Sequence, residues 1–253
     1  MKNQYFGDVN DYRKYGLLRV LSHETGLRCL TAWMLTPNDD RPDGGFTRYL
    51  ADPEKWRNYD PVLFDTLRDA VLVRGERDVA VLESSGLLPD AEFFSEIVPD
   101  QPSERASWFH RLLTVSPDNG LVFLDPDNGI EVMSKPIGSK GSSKYVYWRE
   151  LAALFQQGAS LLVYQHFPRR QRDEFTAELA TRLSRELGIS RVLTFSTSNV
   201  LFLLAPQPRH ELGLCVSAES VARNWQGQFL VGDGPAEHVA SVDEATEGNC
   251  RLF

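Results

Sequence analysis

Arg191-Val-Leu-Thr-Phe-Ser-Thr-Ser-Asn-Val-Leu-Phe-Leu-Leu-Ala205 contains two apolar runs, 191–195 and 199–205, separated only by Ser196-Thr197-Ser198. Three residues cannot carry a crossover, so the two runs form an antiparallel hairpin. Upstream, Ser160-Leu-Leu-Val-Tyr-Gln165 is another short apolar run. Between it and the hairpin lies 169–187, where Phe175, Leu179, Leu183 and Leu187 recur every four positions with charges between them, ending at Gly188. That pattern is an amphipathic helix with a left-handed stop. Leu121-Val-Phe-Leu-Asp125, bounded by the turn residues 116–120 and by Pro126, reads as an earlier buried strand. Apolar strands alternating with helices predict an α/β, Rossmann-like three-layer sandwich. Its sheet is mostly parallel, is covered on both faces and carries an antiparallel C-terminal hairpin strand.

Toward the N-terminus the order is less regular. Residues 8–24 have helical character, with Asp8 as N-cap and Asp11 three residues on. Residues 27–35 read as a strand leading into a loop, 36–45, that holds Asp39, Asp40, Asp43, Gly44 and Gly45. Val79-Ala-Val-Leu-Glu83 is the expected second strand, and 59–73 and 104–113 are expected helices. From Gly232 onward the chain is acidic and aperiodic, as a surface segment would be. One domain is therefore expected over 1–253, with a core at about 5–205 and a C-terminal extension at 206–253.

With 253 residues, 42% hydrophobic and 25% charged, the composition excludes disordered, fibrous and repeat classes. Three scattered cysteines, Cys29, Cys215 and Cys250, form no CxxC pair, which argues against a disulfide scaffold or a thiolate zinc site. No apolar run reaches the roughly 20 residues of a membrane helix, and the first fifteen residues lack a signal-peptide core. A cytoplasmic protein is the expectation. The formal charge of −8 opposes nonspecific nucleic-acid binding unless a basic groove overrides it.

Ligands of parallel α/β sheets bind beyond the carboxyl ends of the strands. The residues collected there are the 39–45 loop, Glu83, Asp125 to Asn128, and His166. Asp125-Pro126-Asp127-Asn128-Gly129 brings two carboxylates and an amide to one corner, although a plain turn uses the same residue types. Its spacing does not match a helix-loop-helix calcium loop, whereas Asp125 and Asp127 with another acid suit magnesium or manganese. His166 is a candidate general base or phosphate contact, set against a purely structural histidine. Helix capping explains Asp8 and Asp11 but not Lys14. Residues 135–149 interleave Lys135, Lys140, Lys144 and Arg149 with Tyr145, Tyr147 and Trp148. Such a pattern suits a nucleotide or a single strand of nucleic acid, or else a solvated loop feeding a helix. No Walker loop is present.

These features resemble the class I S-adenosylmethionine-dependent methyltransferases. Two families within that group are most similar: the ribosomal-RNA adenine-N6 methyltransferases with an Asp-Pro-Pro-Tyr motif, and the three-Cys-motif partner proteins, whose corresponding strand ends Asp-Pro-Phe-Gly. Gly7-Asp8-Val9-Asn10-Asp11-Tyr12-Arg13-Lys14-Tyr15 aligns without a gap with the former family's Gly-Asn-x-x-Asp-Val-x-Lys-His helix, and Leu124-Asp125-Pro126 aligns with its catalytic strand. The resemblance implies S-adenosylmethionine across Asp39, Asp43, Gly44, Gly45 and Glu83, with Glu83 as the ribose-binding acid. It further implies that Asp125 accepts a hydrogen bond from a target amine, and that Lys14 and the 135–149 segment hold the phosphate of a nucleic acid or nucleotide. Two departures stand out. Asp127-Asn128 replaces Pro-Tyr, removing the ring that would stack on a flipped base, and no Gly-x-Gly turn follows the first strand. Two other functions therefore stand beside methyl transfer. One is a magnesium- or manganese-dependent phosphoesterase or nuclease using Asp125 and Asp127, and the other a non-catalytic binding or partner protein on a degenerate methyltransferase fold.

Overall fold

A computed structural model describes residues 1–39, 44–116 and 119–234. Helix α1 (Val9–Thr25) begins where the Asp8 side chain accepts the Asn10 N–H and ends at Gly26, whose φ of 65° supplies the left-handed stop. Then follow β1 (Cys29–Ala32), the single-turn α2 (Pro53–Trp56), α3 (Pro61–Arg68), which runs on through a π-helical turn at Asp69–Arg74, and α4 (Ala80–Ser84). Next come β2 (Glu92–Phe94), α5 (Pro102–Val115), β3 (Leu121–Leu124), β4 (Gly129–Ile130) and β5 (Tyr145–Val146). The remainder is α6 (Trp148–Gln156), β6 (Ser160–His166), α7 (Arg172–Leu187), β7 (Leu193–Ser196), β8 (Val200–Ala205), α8 (Glu211–Asn224) and β9 (Leu230–Asp233).

Among the described residues seven strands form one sheet in the order β2-β1-β3-β6-β8-β7-β9, and β4 and β5 form a separate parallel ribbon. From β2 to β6 every pairing is parallel; β8 is antiparallel to both β6 and β7, and β9 is antiparallel to β7. The expected α/β sandwich and its hairpin are both present. Alternation along the strands creates two cores. Leu121, Phe123, Phe195, Phe202 and Leu204 pack with α1, α3, α4 and α8. On the other face Val122, Leu124, Leu161, Leu201 and Leu203 pack with α5, α6 and α7.

The expected strand at Val79–Glu83 is instead α4. The Asp78 carboxylate accepts the Ala80 N–H, and Val79 and Leu82 are buried three residues apart while Ala80 and Ser84 face water. This is a helical period, which a five-residue apolar run cannot distinguish from a strand. The strand beside β1 is Glu92–Phe94. Past residue 205 the chain continues the same layers: α8 packs in the α1 core and β9 extends the sheet. Residues 235–253, most of the expected acidic tail, lie outside the described residues.

Candidate functional site

The carboxyl ends of β3 and β6 open into a cavity of about 460 Å³, closed on one side by the start of α1 and at the lip by Gly44 and Phe46. Asp125, the first residue after β3, lies in its wall with Pro126, Asp127 and Asn128; Tyr164 and His166 come from β6. Because β8 runs antiparallel to β6, with Val200 opposite His166, the preceding Asn199 reaches the same rim. Gln165 fixes the corner by accepting the Ile130 N–H and donating to the Asn128 carbonyl.

Ionised groups form a chain across the cavity's inner wall. The Lys14 ammonium donates to Asp11 Oδ1 at 2.6 Å and to Asp125 Oδ2 at 2.7 Å, and it lies 3.6 Å from Met1 Sδ. The Met1 α-amine donates to the carbonyls of Met34 and Asp125 and pairs with Asp127 Oδ1 at 2.7 Å. Met34, just past β1, has a φ of 48°, which is uncommon for a non-glycine residue and occurs where local structure enforces it. The Asp127 Oδ2 atom accepts the Thr36 hydroxyl at 2.8 Å, with the Lys144 ammonium 3.8 Å away.

Each charge responds to its surroundings. Burial raises the Asp11 carboxyl, Lys14 pulls it back and the Asp125 charge raises it again, leaving a pKa of about 6. For Lys14 burial works downward, but Asp11 and Asp125 outweigh it and hold the ammonium protonated above its ordinary range. Burial also opposes ionisation of Asp127; the Met1 amine, Thr36 and Lys144 overcome it, and this carboxyl sits below the usual range. Burial and Asp125 together raise Tyr164 well above an ordinary phenol, so its hydroxyl stays neutral.

Some polar atoms of the wall have no protein partner among the described residues. Among the described residues the Asp125 carboxylate is hydrogen-bonded only by Lys14, through Oδ2, which leaves Oδ1 without a protein partner. The side chains of Asn128, His166 and Asn199 likewise make no hydrogen bond to the described residues. Phe46 is 68% exposed at the lip, yet its backbone is pinned: its N–H donates to Asp8 Oδ2 and its carbonyl accepts from Val9.

The expected site residues thus divide. Asp125, Asp127, Asn128, Lys14, His166 and Gly44 come together around one cavity, whereas Gly45 is not in its wall. Lys14 cannot serve as a phosphate contact, because its ammonium is already held between two carboxylates. Glu83 is not a strand-end acid: it rides on α4 and accepts from Trp33 Nε1 and Ser95 Oγ, away from the cavity wall. Asp39 pairs with Lys2 at 2.5 Å and does not line the cavity, and Asp40 and Asp43 lie outside the described residues. In the 135–149 segment Tyr147 and Trp148 are buried, with the Arg105 guanidinium 5.6 Å from the Tyr147 ring and Arg182 4.5 Å from that of Trp148. Neither ring is free to stack on a base. Lys144 is the one cation of that segment found at the site among the described residues.

Sequence reasoning missed Met1, Phe46, Tyr164 and Asn199. Tyr164 carried a signal, since it precedes His166 by two residues and therefore shares its face of the strand. Asn199 followed from the hairpin register, while neither Met1 nor Phe46 had a sequence pattern to mark it.

Neither a protein-family profile nor a curated protein matches the sequence. In structure the chain is similar to protein LPL1258 from Legionella pneumophila str. Philadelphia 1, a DUF519 protein. The two share 11% identity at a TM-score of 0.48, over 92% of this chain and 98% of that one. The α/β assignment rests on this chain's own strand order. No helix among the described residues is long and apolar enough to cross a membrane.

The donor set can be tested against the expected cofactors. Both Asp127 oxygens and one Asp125 oxygen are already engaged by cations or a hydroxyl, and no cluster of three His, Cys, Asp or Glu stands ready for a metal among the described residues. These residues do not fit a magnesium or manganese centre. Nor do they fit S-adenosylmethionine laid across the end of β1. Met1 is bonded to the backbone there, and of the five expected cofactor residues only Gly44 lines the cavity among those described.

Proposed function

We propose that the cavity binds a nucleotide by its base, with an exocyclic amino group donating to Asp125 Oδ1. The observation that carries this reading is that unpartnered carboxylate oxygen on the end of β3, in a cavity large enough for one small ligand. Lys14 holds the other oxygen and orients the carboxylate. Asn128 and Asn199 offer amides able to read the hydrogen-bonding edge of a base, and the ring of Phe46 provides a stacking face. Carboxylates that face the cavity select for donors such as amines and disfavour phosphate.

Methyl transfer to that amine is a second reading, favoured by the antiparallel β8 between β6 and β7 together with the Asp-Pro corner. Its cofactor residues do not assemble, so the geometry supplies no step of such a transfer. Isothermal titration with the four ribonucleosides, with S-adenosylmethionine and with S-adenosylhomocysteine separates the readings. A base bearing an amino group should bind, and Asp125→Ala should weaken it at least tenfold. Uridine binding as tightly as cytidine or adenosine would overturn the assignment to Asp125. Heat from S-adenosylmethionine would restore the second reading.

A further inference from the structure

The cavity does not end at its lip. A groove continues from it, sharing His166 and Asn199 in its wall and adding Arg169 and Arg170 from the turn between β6 and α7 and Arg172 from the first position of α7. Arg170 is taken up by Glu178 at 2.6 Å. Arg169 and Arg172 have no carboxylate partner among the described residues; the Arg172 guanidinium lies 5.7 Å from the Phe167 ring. The turn is anchored, because the Phe167 N–H donates to the Asn199 carbonyl.

We propose that this groove carries the sugar-phosphate backbone of a single strand of nucleic acid whose base enters the cavity, an inference that rests on the nucleobase reading above. Charge is segregated in a way that fits such a ligand. Asp8, Asp11, Asp125 and Asp127 line the cavity, with the Lys14 and Met1 cations already consumed by ion pairs, so a phosphate is repelled from the interior. Immediately outside stand two arginines whose guanidinium groups are unengaged by any carboxylate among the described residues, in a protein of net charge −8. Phosphate contacts position a strand and a pocket reads its base, so the two neighbouring surfaces divide those tasks. The Arg172 guanidinium, packed on Phe167, is held ready at little entropic cost. The strand path therefore follows the β6–α7 turn rather than the 135–149 segment.

Fluorescence anisotropy with mixed-sequence single-stranded RNA and DNA twelve-mers, run from low to moderate salt, tests the proposal beside nucleoside titrations. Arg169→Ala/Arg172→Ala should weaken twelve-mer binding about tenfold or more. It should also reduce the slope of log affinity against log salt by roughly 0.7 for each phosphate no longer neutralised, and leave nucleoside binding unchanged. Arg169→Lys/Arg172→Lys should recover part of the slope, and Lys135→Ala/Lys140→Ala should change little. An unaltered twelve-mer affinity and slope in the alanine variant, with nucleosides still bound, overturns the groove and spares the cavity. Arginine-dependent twelve-mer binding without nucleoside binding would retain the groove and overturn the base reading. If neither probe binds, both proposals fall.

Discussion

Asp11 shows how a single buried carboxylate ties the site to pH. Its Oδ2 accepts the Gly7 N–H, and its Oδ1 accepts from Lys14. Folding raises its pKa from 3.8 to about 6, so in that interval the folded chain binds more protons than the unfolded one. Stability from this group therefore falls as pH rises from about 4 to about 6 and is flat above about 7. Asp127 has the opposite sign: its folded pKa is depressed, and its contribution is present above the unfolded value and lost as pH falls below it. The two windows barely overlap. Subtracting the urea stability of Asp11→Asn from that of the parent chain should isolate the first effect. The difference should shrink by on the order of 2 kcal/mol between pH 4 and pH 6, the part of the two-unit shift that falls inside that range. Parallel curves across that range would mean that Asp11 titrates as an ordinary aspartate.

Among the elements, α1 bears most directly on the site, because it presents Asp8, Asn10, Asp11 and Lys14 from one end. Its placement depends on Gly16, where an added Cβ would lie 1.9 Å from Cζ2 of the buried Trp225 just past α8. Gly16→Ala adds about 1 kcal/mol of helix propensity, but it forces the indole or the whole helix to move, and overpacking costs typically 1–3 kcal/mol or more. The clash should win. The variant is expected to melt earlier than the parent in a thermal scan, and an equal or higher melting temperature would show that Trp225 yields freely. α1 is also the part of the site most legible from sequence, since an N-cap at Asp8 and the three-residue step from Asp11 to Lys14 place both side chains on one face. Asp125 is legible as the residue that leaves a buried strand. By contrast, Val79–Glu83 is too short for periodicity to separate helix from strand, which carries Glu83 to the wrong place. Tyr147 and Trp148 pass for stacking rings by composition, but spacing sets their place: Trp148, Leu151 and Leu154 fall three apart and line the buried face of α6. Met1 bears no pattern at all, since its role is set by the backbone it meets.

At the scale of the whole molecule, the cavity is mounted on the part of the sheet that is hardest to open. Strands β3, β6 and β8 each pair on both sides and lie between the two cores, with Leu121–Leu124 and Val200–Ala205 buried throughout. Asp125 follows β3, His166 ends β6 and Asn199 precedes β8, so three walls of the cavity inherit that rigidity. The two edges differ from this centre. Among the described residues β9 pairs only with β7 and is buried at none of its four residues, and β2 pairs only with β1. Exposing a β8 amide requires both cores to separate, which amounts to global unfolding, whereas β9 can detach at the cost of one ladder and a few partly buried contacts. Native-state hydrogen exchange should therefore find the amides of β3, β6 and β8 exchanging with one common free energy equal to that of global unfolding. The amides of β9 should exchange at least a hundredfold faster, with an unchanged rate when Asp125 is replaced. Protection of β9 equal to that of β8 would show that the sheet opens as one unit from edge to edge, and that the cavity gains no rigidity from its central position.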